Sequence, residues 1–302
     1  MADETVAHAA APFGRVLTAL VTPMHDDGSL DLSGAARLAS ALVDAGCDGI
    51  VVSGTTGESP TTSDAEKEGL VRAVVEAVGD RAHVVAGVGT YDTHHTVELA
   101  RQAEKAGAHG VLVVTPYYSK PTQEGLFQHF TSAADATGLP VMLYDIPPRS
   151  VVPIETATLL RLAEHTRIVA VKDAKGDPFA ASEVIARTDL AYYSGDDALN
   201  LPLLSVGAVG MVSVVAHVAA ESYKAMVEAV DAGDLVTARQ IHQQLIPAVR
   251  GIMTRGPGVV MAKAAMHLGG QIASRTVRLP LVPATDDEVE QLRTDLAEAK
   301  LR

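Results

Sequence analysis

Eight short apolar runs rich in β-formers recur along this chain, and a stretch with helical periodicity follows each. No other feature limits the fold as strongly. The runs cover residues 16–22, 49–54, 83–89, 110–115, 140–146, 167–173, 190–195 and 210–215. They are nearly continuous in apolar residues, as expected of parallel strands buried on both faces. Amphipathic stretches lie between them, among them 33–45, 63–78 and 93–106. Gly46, Gly79 and Gly107 stand where helix C-caps belong. Ser63 or Asp64 is placed to cap the second helix, with Glu66 in its first turn.

Eight β/α units predict a (β/α)8 TIM barrel. A doubly wound sheet is the competing arrangement. It lacks support because GVGTYD, residues 87–92, has neither the third glycine nor a suitably spaced acid of a dinucleotide turn. Beyond residue 219 the strand signal stops. Helical patterns cover 220–232, 234–253, 259–268 and 286–301, with breaks at 256–258 and 279–283. The expected organisation is a tail at 1–12, a barrel at 13–218 and a C-terminal helical segment at 219–302. Asp3 and Glu4 occupy the place of a basic signal region, so the N-terminus reads as a tail and not as a secretory signal.

A length of 302 residues suits such a barrel with an added segment. The net charge of -13 argues against nucleic acid and anionic membranes as partners. It leaves room for an anionic substrate held by local arginines. No apolar run reaches the roughly 18 residues of a membrane span. Cys47 is the one cysteine, so an internal disulfide is impossible and a reducing cytoplasm fits. It reads as a small core residue.

The strand ends of a barrel share one mouth. Reading those ends collects GTTGES (54–59), TPYYSKP (115–121), LYDIPPR (143–149), VAVKDAKGD (169–177) and SGDD (194–197). Lys172 closes an apolar strand. Its amine either snorkels to solvent or stays desolvated, where its pKa falls and it becomes a nucleophile toward a carbonyl. Thr55 and Thr56 either complete a turn or offer hydroxyls and an anion nest of backbone amides. Tyr117 and Tyr118 pack at a surface or interface, or carry protons; Tyr144 is a further proton carrier. Arg149 caps a helix, pairs with an acid, or forks onto a carboxylate. Asp196 and Asp197 read as caps of the seventh helix. Together these groups suit Schiff-base chemistry on an α-keto acid, and no metal or cofactor is required. The histidines form no HExxH pattern. His217 stands near the mouth with a structural or interface role as the alternative.

In this order and spacing, GTTGES, TPYYSKP, LYDIPPR, VAVKDAKGD and YYSGDD resemble the dihydrodipicolinate synthase family. The resemblance runs over residues 13 to 300 and includes RLPLVP at 278–283. It implies that Lys172 condenses with pyruvate and that the enamine attacks aspartate β-semialdehyde, in diaminopimelate and lysine synthesis. It also implies a proton relay of Thr55, Tyr144 and Tyr118, with Tyr118 reaching in from a neighbouring subunit. Thr56 then holds the pyruvate carboxylate and Arg149 the acceptor carboxylate. Gly195 and the Val212 carbonyl line the pocket. The implied assembly is a homotetramer, a dimer of dimers. Two other readings stay open: a pyruvate-type aldolase acting on a sugar acid, which shares Lys172 and Tyr144, and a non-catalytic barrel.

Some positions depart from the family's pattern. Asp145 and His217 stand where many members carry Asn, and Asp145 is expected to add negative charge near the mouth. Lysine-inhibited members carry His, His, Asn and Glu where this chain has Asp64, Lys67, Tyr91 and His95. The expectation is weak or absent inhibition by lysine.

Overall fold

The computed structural model describes residues 11–301. The expected tail at 1–12 lies outside these residues apart from its last two positions. Eight parallel strands close into a barrel: β1 (Val16–Ala19), β2 (Gly49–Val52), β3 (His83–Gly87), β4 (Gly110–Val114), β5 (Val141–Asp145), β6 (Ile168–Asp173), β7 (Ala191–Ser194) and β8 (Gly210–Ser213). Each pairs with the next in sequence, and β8 returns to β1 through Val16↔Met211 and Leu17↔Val212. Parallel neighbours need a crossover connection, and the intervening helices supply it.

Several strands end sooner than the apolar runs that announce them. Residues 20–22, 53–54 and 214–215 belonged to the expected strands, yet they lie beyond the strand ends. The helices follow the expected periodicity: Leu32–Asp44, Asp64–Val78 and Thr93–Lys105. Ser63, not Asp64, is the second helix's N-cap. Its hydroxyl accepts from the Glu66 amide while the Glu66 carboxylate accepts from the Ser63 amide, a capping box. Gly46 follows the first helix at φ +101, a left-handed turn that favours glycine.

After β8 come helices Ala216–Asp231, Leu235–Met253, Gly258–Leu268 and Asp286–Glu298. The expected division after residue 218 falls inside the first of these, at Ala219, whose φ -134 and ψ 23 break helical geometry. The last three helices pack on one another and reach the mouth. The 278–283 turn crosses back over β2's loop, tied down by Arg278, whose guanidinium donates to the Gly28 and Thr61 carbonyls and to Glu66.

Candidate active site

Alternation along a strand sends successive side chains to opposite faces. Tyr144 on β5 and Lys172 on β6 are register partners and both point into the barrel mouth. Lys172 is 5 % exposed, with its Nζ 4.1 Å from the centroid of the Tyr144 ring. Burial lowers the Lys172 ammonium to about 8; the Arg149 charge adds to this and the Asp197 carboxylate opposes it. A sizeable neutral fraction therefore exists near pH 8. Burial pushes the Tyr144 phenol up, against the Arg149 charge and a hydrogen bond with Thr55. It remains a proton-bearing donor at neutral pH.

Lys172 opens into a cavity of about 270 Å³, also lined by Thr55, Thr56, Tyr144, Arg149 and Gly195. Six of the sequence-derived site residues thus meet in one place. The Thr55 and Thr56 amides make no hydrogen bond among the described residues, so both remain available to an anion. Arg149 is exposed at the end of the short helix Pro147–Ser150 and takes part in none of the ion pairs among the described residues. Two cationic groups and two amides thus face one small cavity in an acidic protein.

Gly195 is a glycine for a packing reason. A Cβ there would lie 2.8 Å from Lys172 Cγ and 3.0 Å from Cε. Its absence lets the lysine side chain pass.

Two sequence-derived residues are not in the cavity wall. Tyr118 is 91 % exposed at φ +73, away from Lys172 within the single chain. Its neighbour Tyr117 instead lines an adjoining recess with Thr55 and Tyr144, and stacks edge-on against Tyr91 at 5.5 Å. Val212 is buried in the β1–β8 ladder, and Val214 supplies the lining from that strand's end.

Other expectations change in detail. Asp145 does not charge the mouth: as Tyr144's neighbour it faces the opposite side, buried, with Lys175 Nζ at 3.3 Å. Burial raises its carboxyl to about 6 and Lys175 pulls the other way. His217 is a structural staple: its Nε2 accepts from the Val21 amide at 3.1 Å, and its Nδ1 donates to the Val214 carbonyl at 2.7 Å. Burial lowers it to about 4, so it stays neutral. Asp196 caps the short turn Asp197–Leu199 and not the helix after β7, Asn200–Ser205, whose N-cap is Leu199 without a side-chain hydrogen bond. Asp197 does not cap; buried, it accepts from the Ser213 hydroxyl and from the Val214 and Val215 amides, joining the β7 loop to β8.

One wall lay outside the sequence reading. Met253, Pro257 and Val259, with Pro280 and Leu281, close the cavity from the C-terminal segment. Glu58 also lines it. Two signals mark this wall: the RLPLVP turn, and Lys263 standing within the otherwise apolar GVVMAKAAM, residues 258–266.

The chain matches the dihydrodipicolinate synthetase family over residues 12–299. It is 67 % identical to the 4-hydroxy-tetrahydrodipicolinate synthase of Kineococcus radiotolerans, covering 100 % of this chain and 98 % of that protein. It is 66 % identical to 4-hydroxy-tetrahydrodipicolinate synthase 2 of Streptomyces coelicolor, over 95 % of each chain. Among solved structures it resembles the lysine-bound enzyme of Cyanidioschyzon merolae, with a TM-score of 0.94 and 39 % identity, over 97 % of this chain and 100 % of that one.

Proposed function

The chain belongs to the dihydrodipicolinate synthetase family, and on that premise we propose that it condenses pyruvate with aspartate β-semialdehyde to give 4-hydroxy-tetrahydrodipicolinate. It is a lyase of diaminopimelate and lysine synthesis. The observation that carries the assignment of the chemistry to Lys172 is its buried amine, lowered to about 8, beside the Tyr144 ring and open to the cavity.

Lys172 Nζ adds its lone pair to C2 of pyruvate, and water leaves to give an iminium. Loss of a methyl proton gives the enamine. Its C3 then attacks the aldehyde carbon of the acceptor, whose oxygen takes up a proton. The acceptor's own amine next displaces Lys172 from C2, which closes the ring and frees the enzyme. Tyr144 and Thr55 carry these protons together with Tyr118 of a second copy. The Thr56 hydroxyl and the turn amides hold the pyruvate carboxylate. Arg149 holds the acceptor carboxylate through a bidentate fork. Gly195 flanks Lys172, and Val214 lines the cavity from the end of β8.

The working assembly is a homotetramer, a dimer of dimers. A tyrosine as exposed as Tyr118, next to the recess where Tyr117 meets Thr55 and Tyr144, supports a site completed across an interface. No helix among the described residues is long and apolar enough to cross a membrane. A single buried cysteine and a biosynthetic role favour the cytoplasm.

A steady-state screen of aldehyde acceptors with pyruvate tests the substrate assignment. Turnover is expected with aspartate β-semialdehyde and not with N-acetylmannosamine. The reverse preference assigns the chain to the sugar-acid aldolases instead.

A further inference from the structure

Glu58 occupies a conformation that its own side chain does not favour. It lies at φ 57, ψ 36, in the left-handed region, directly after the Thr55–Thr56–Gly57 turn. Such a backbone disfavours a residue bearing a Cβ, and it persists where surrounding contacts over-determine it. Those contacts come from the far end of the chain. Glu58 is 2 % exposed, and its Oε1 lies 2.5 Å from the Nζ of Lys263, which is 0 % exposed. Its Oε2 accepts from the Arg278 amide at 2.8 Å. Lys263 also donates to the Thr276 carbonyl at 2.6 Å. From the barrel side, the Thr22 hydroxyl donates to the Gly57 carbonyl at 2.7 Å. The turn that presents the two free amides is thus gripped from both sides. One grip is a charged pair buried more than 200 residues apart in sequence.

A buried ion pair is a weak source of net stability, because desolvation offsets the Coulomb attraction. What it supplies is geometry. Both carboxylate oxygens are held by groups of the C-terminal segment, which ties the turn to that segment.

We propose that Glu58 is a positioning residue, held by Lys263 and the Arg278 amide, which sets the Thr55–Thr56 turn against the pyruvate carboxylate and so makes the C-terminal helical segment part of the active site. This rests on the pyruvate chemistry proposed for Lys172. Arg149 stands on a different strand end and does not depend on the pair.

The test compares Glu58→Gln, Lys263→Met and the double variant with the parent enzyme. Each single variant leaves one buried group without its partner and lowers the melting temperature. The double variant removes both charges and recovers most of that loss. The pyruvate KM nevertheless stays raised by about tenfold in Glu58→Gln and in the double variant. The acceptor KM stays within about twofold of the parent's in both. Glu58→Asp, which keeps the charge on a shorter arm, gives an intermediate pyruvate KM. Glu58→Gln alone carries the same readout if the double variant does not fold.

A double variant with both parental stability and parental pyruvate KM overturns the proposal, as does an equal rise in both KM values. If the parent enzyme itself fails to trap pyruvate on Lys172 with borohydride, the Lys172 reading falls and this inference falls with it. Trapping by the parent together with an unmoved KM removes the inference alone.

Discussion

Lys172 and Tyr144 face each other across the β5–β6 ladder as register partners, with the amine 4.1 Å from the centre of the phenol ring. The pairing keeps the amine out of water, and that desolvation is the first cause of its lowered pKa. Protonated lysine cannot attack a carbonyl, so the free amine must form first. Below about pH 8 the reactive fraction falls tenfold per pH unit. The expected profile of kcat/KM for pyruvate therefore rises from acid pH and levels off above about 8. A limb centred near the ordinary lysine value of about 10.4 contradicts this account of the amine.

Gly195 controls the same side chain by steric room. A methyl there meets Lys172 Cγ at 2.8 Å and the Asp173 carbonyl oxygen at 3.1 Å. The strand backbone cannot yield as easily as the lysine, so Lys172 shifts. Gly195→Ala is expected to slow adduct formation with pyruvate by about tenfold or more, or ~1.4 kcal/mol of barrier. Its circular dichroism should be unchanged. Parental trapping rates in the folded variant show that the close approach does not matter.

Tyr118 makes a prediction about assembly. If its phenol serves the Lys172 site of a second copy, two inactive variants can complement each other. Mixing Tyr118→Phe with Lys172→Ala subunits under exchange conditions is expected to restore part of the activity. Mixtures no more active than the separate variants remove Tyr118 from the relay across the interface.

The region around Tyr91 bears on inhibition. His95 Nε2 lies 3.0 Å from Asp64, so that acid already has a partner. The Lys67 ammonium is largely buried and donates to the Thr62 carbonyl at 2.5 Å, so this chain carries a cation where lysine-inhibited family members carry histidine. Steady-state assays are expected to show little loss of activity with free lysine in the sub-millimolar range. Strong inhibition there overturns the expectation.

Much of this architecture was legible in the residues. The β/α alternation located all eight strands, and the convergence of barrel strand ends predicted that Lys172, Tyr144, Thr55, Thr56, Tyr118 and Arg149 meet; all but the exposed Tyr118 line one cavity, joined by Gly195, which the family resemblance implied. Strand ends were overextended because apolar residues such as Val21 and Val214 remain buried after leaving the ladder, so hydrophobicity does not mark where pairing stops. Asp145 looked like a charge at the mouth because its partner, Lys175, sits on the next strand's loop, and only the register brings them together. His217 was ambiguous for a similar reason: its acceptor role depends on the Val21 amide, 196 positions away. Glu58 stands within the GTTGES turn motif. Its meaning appears only once Lys263 is seen to reach it from a distant helix.

On the proposed chemistry, Lys172 forms a covalent imine with pyruvate. Incubating the enzyme with pyruvate and borohydride, digesting it and weighing the peptides tests this directly. The peptide holding Lys172 is expected to carry the mass of a reduced pyruvate adduct, absent from Lys172→Ala. An unmodified Lys172 peptide, or full activity in Lys172→Ala, contradicts the account.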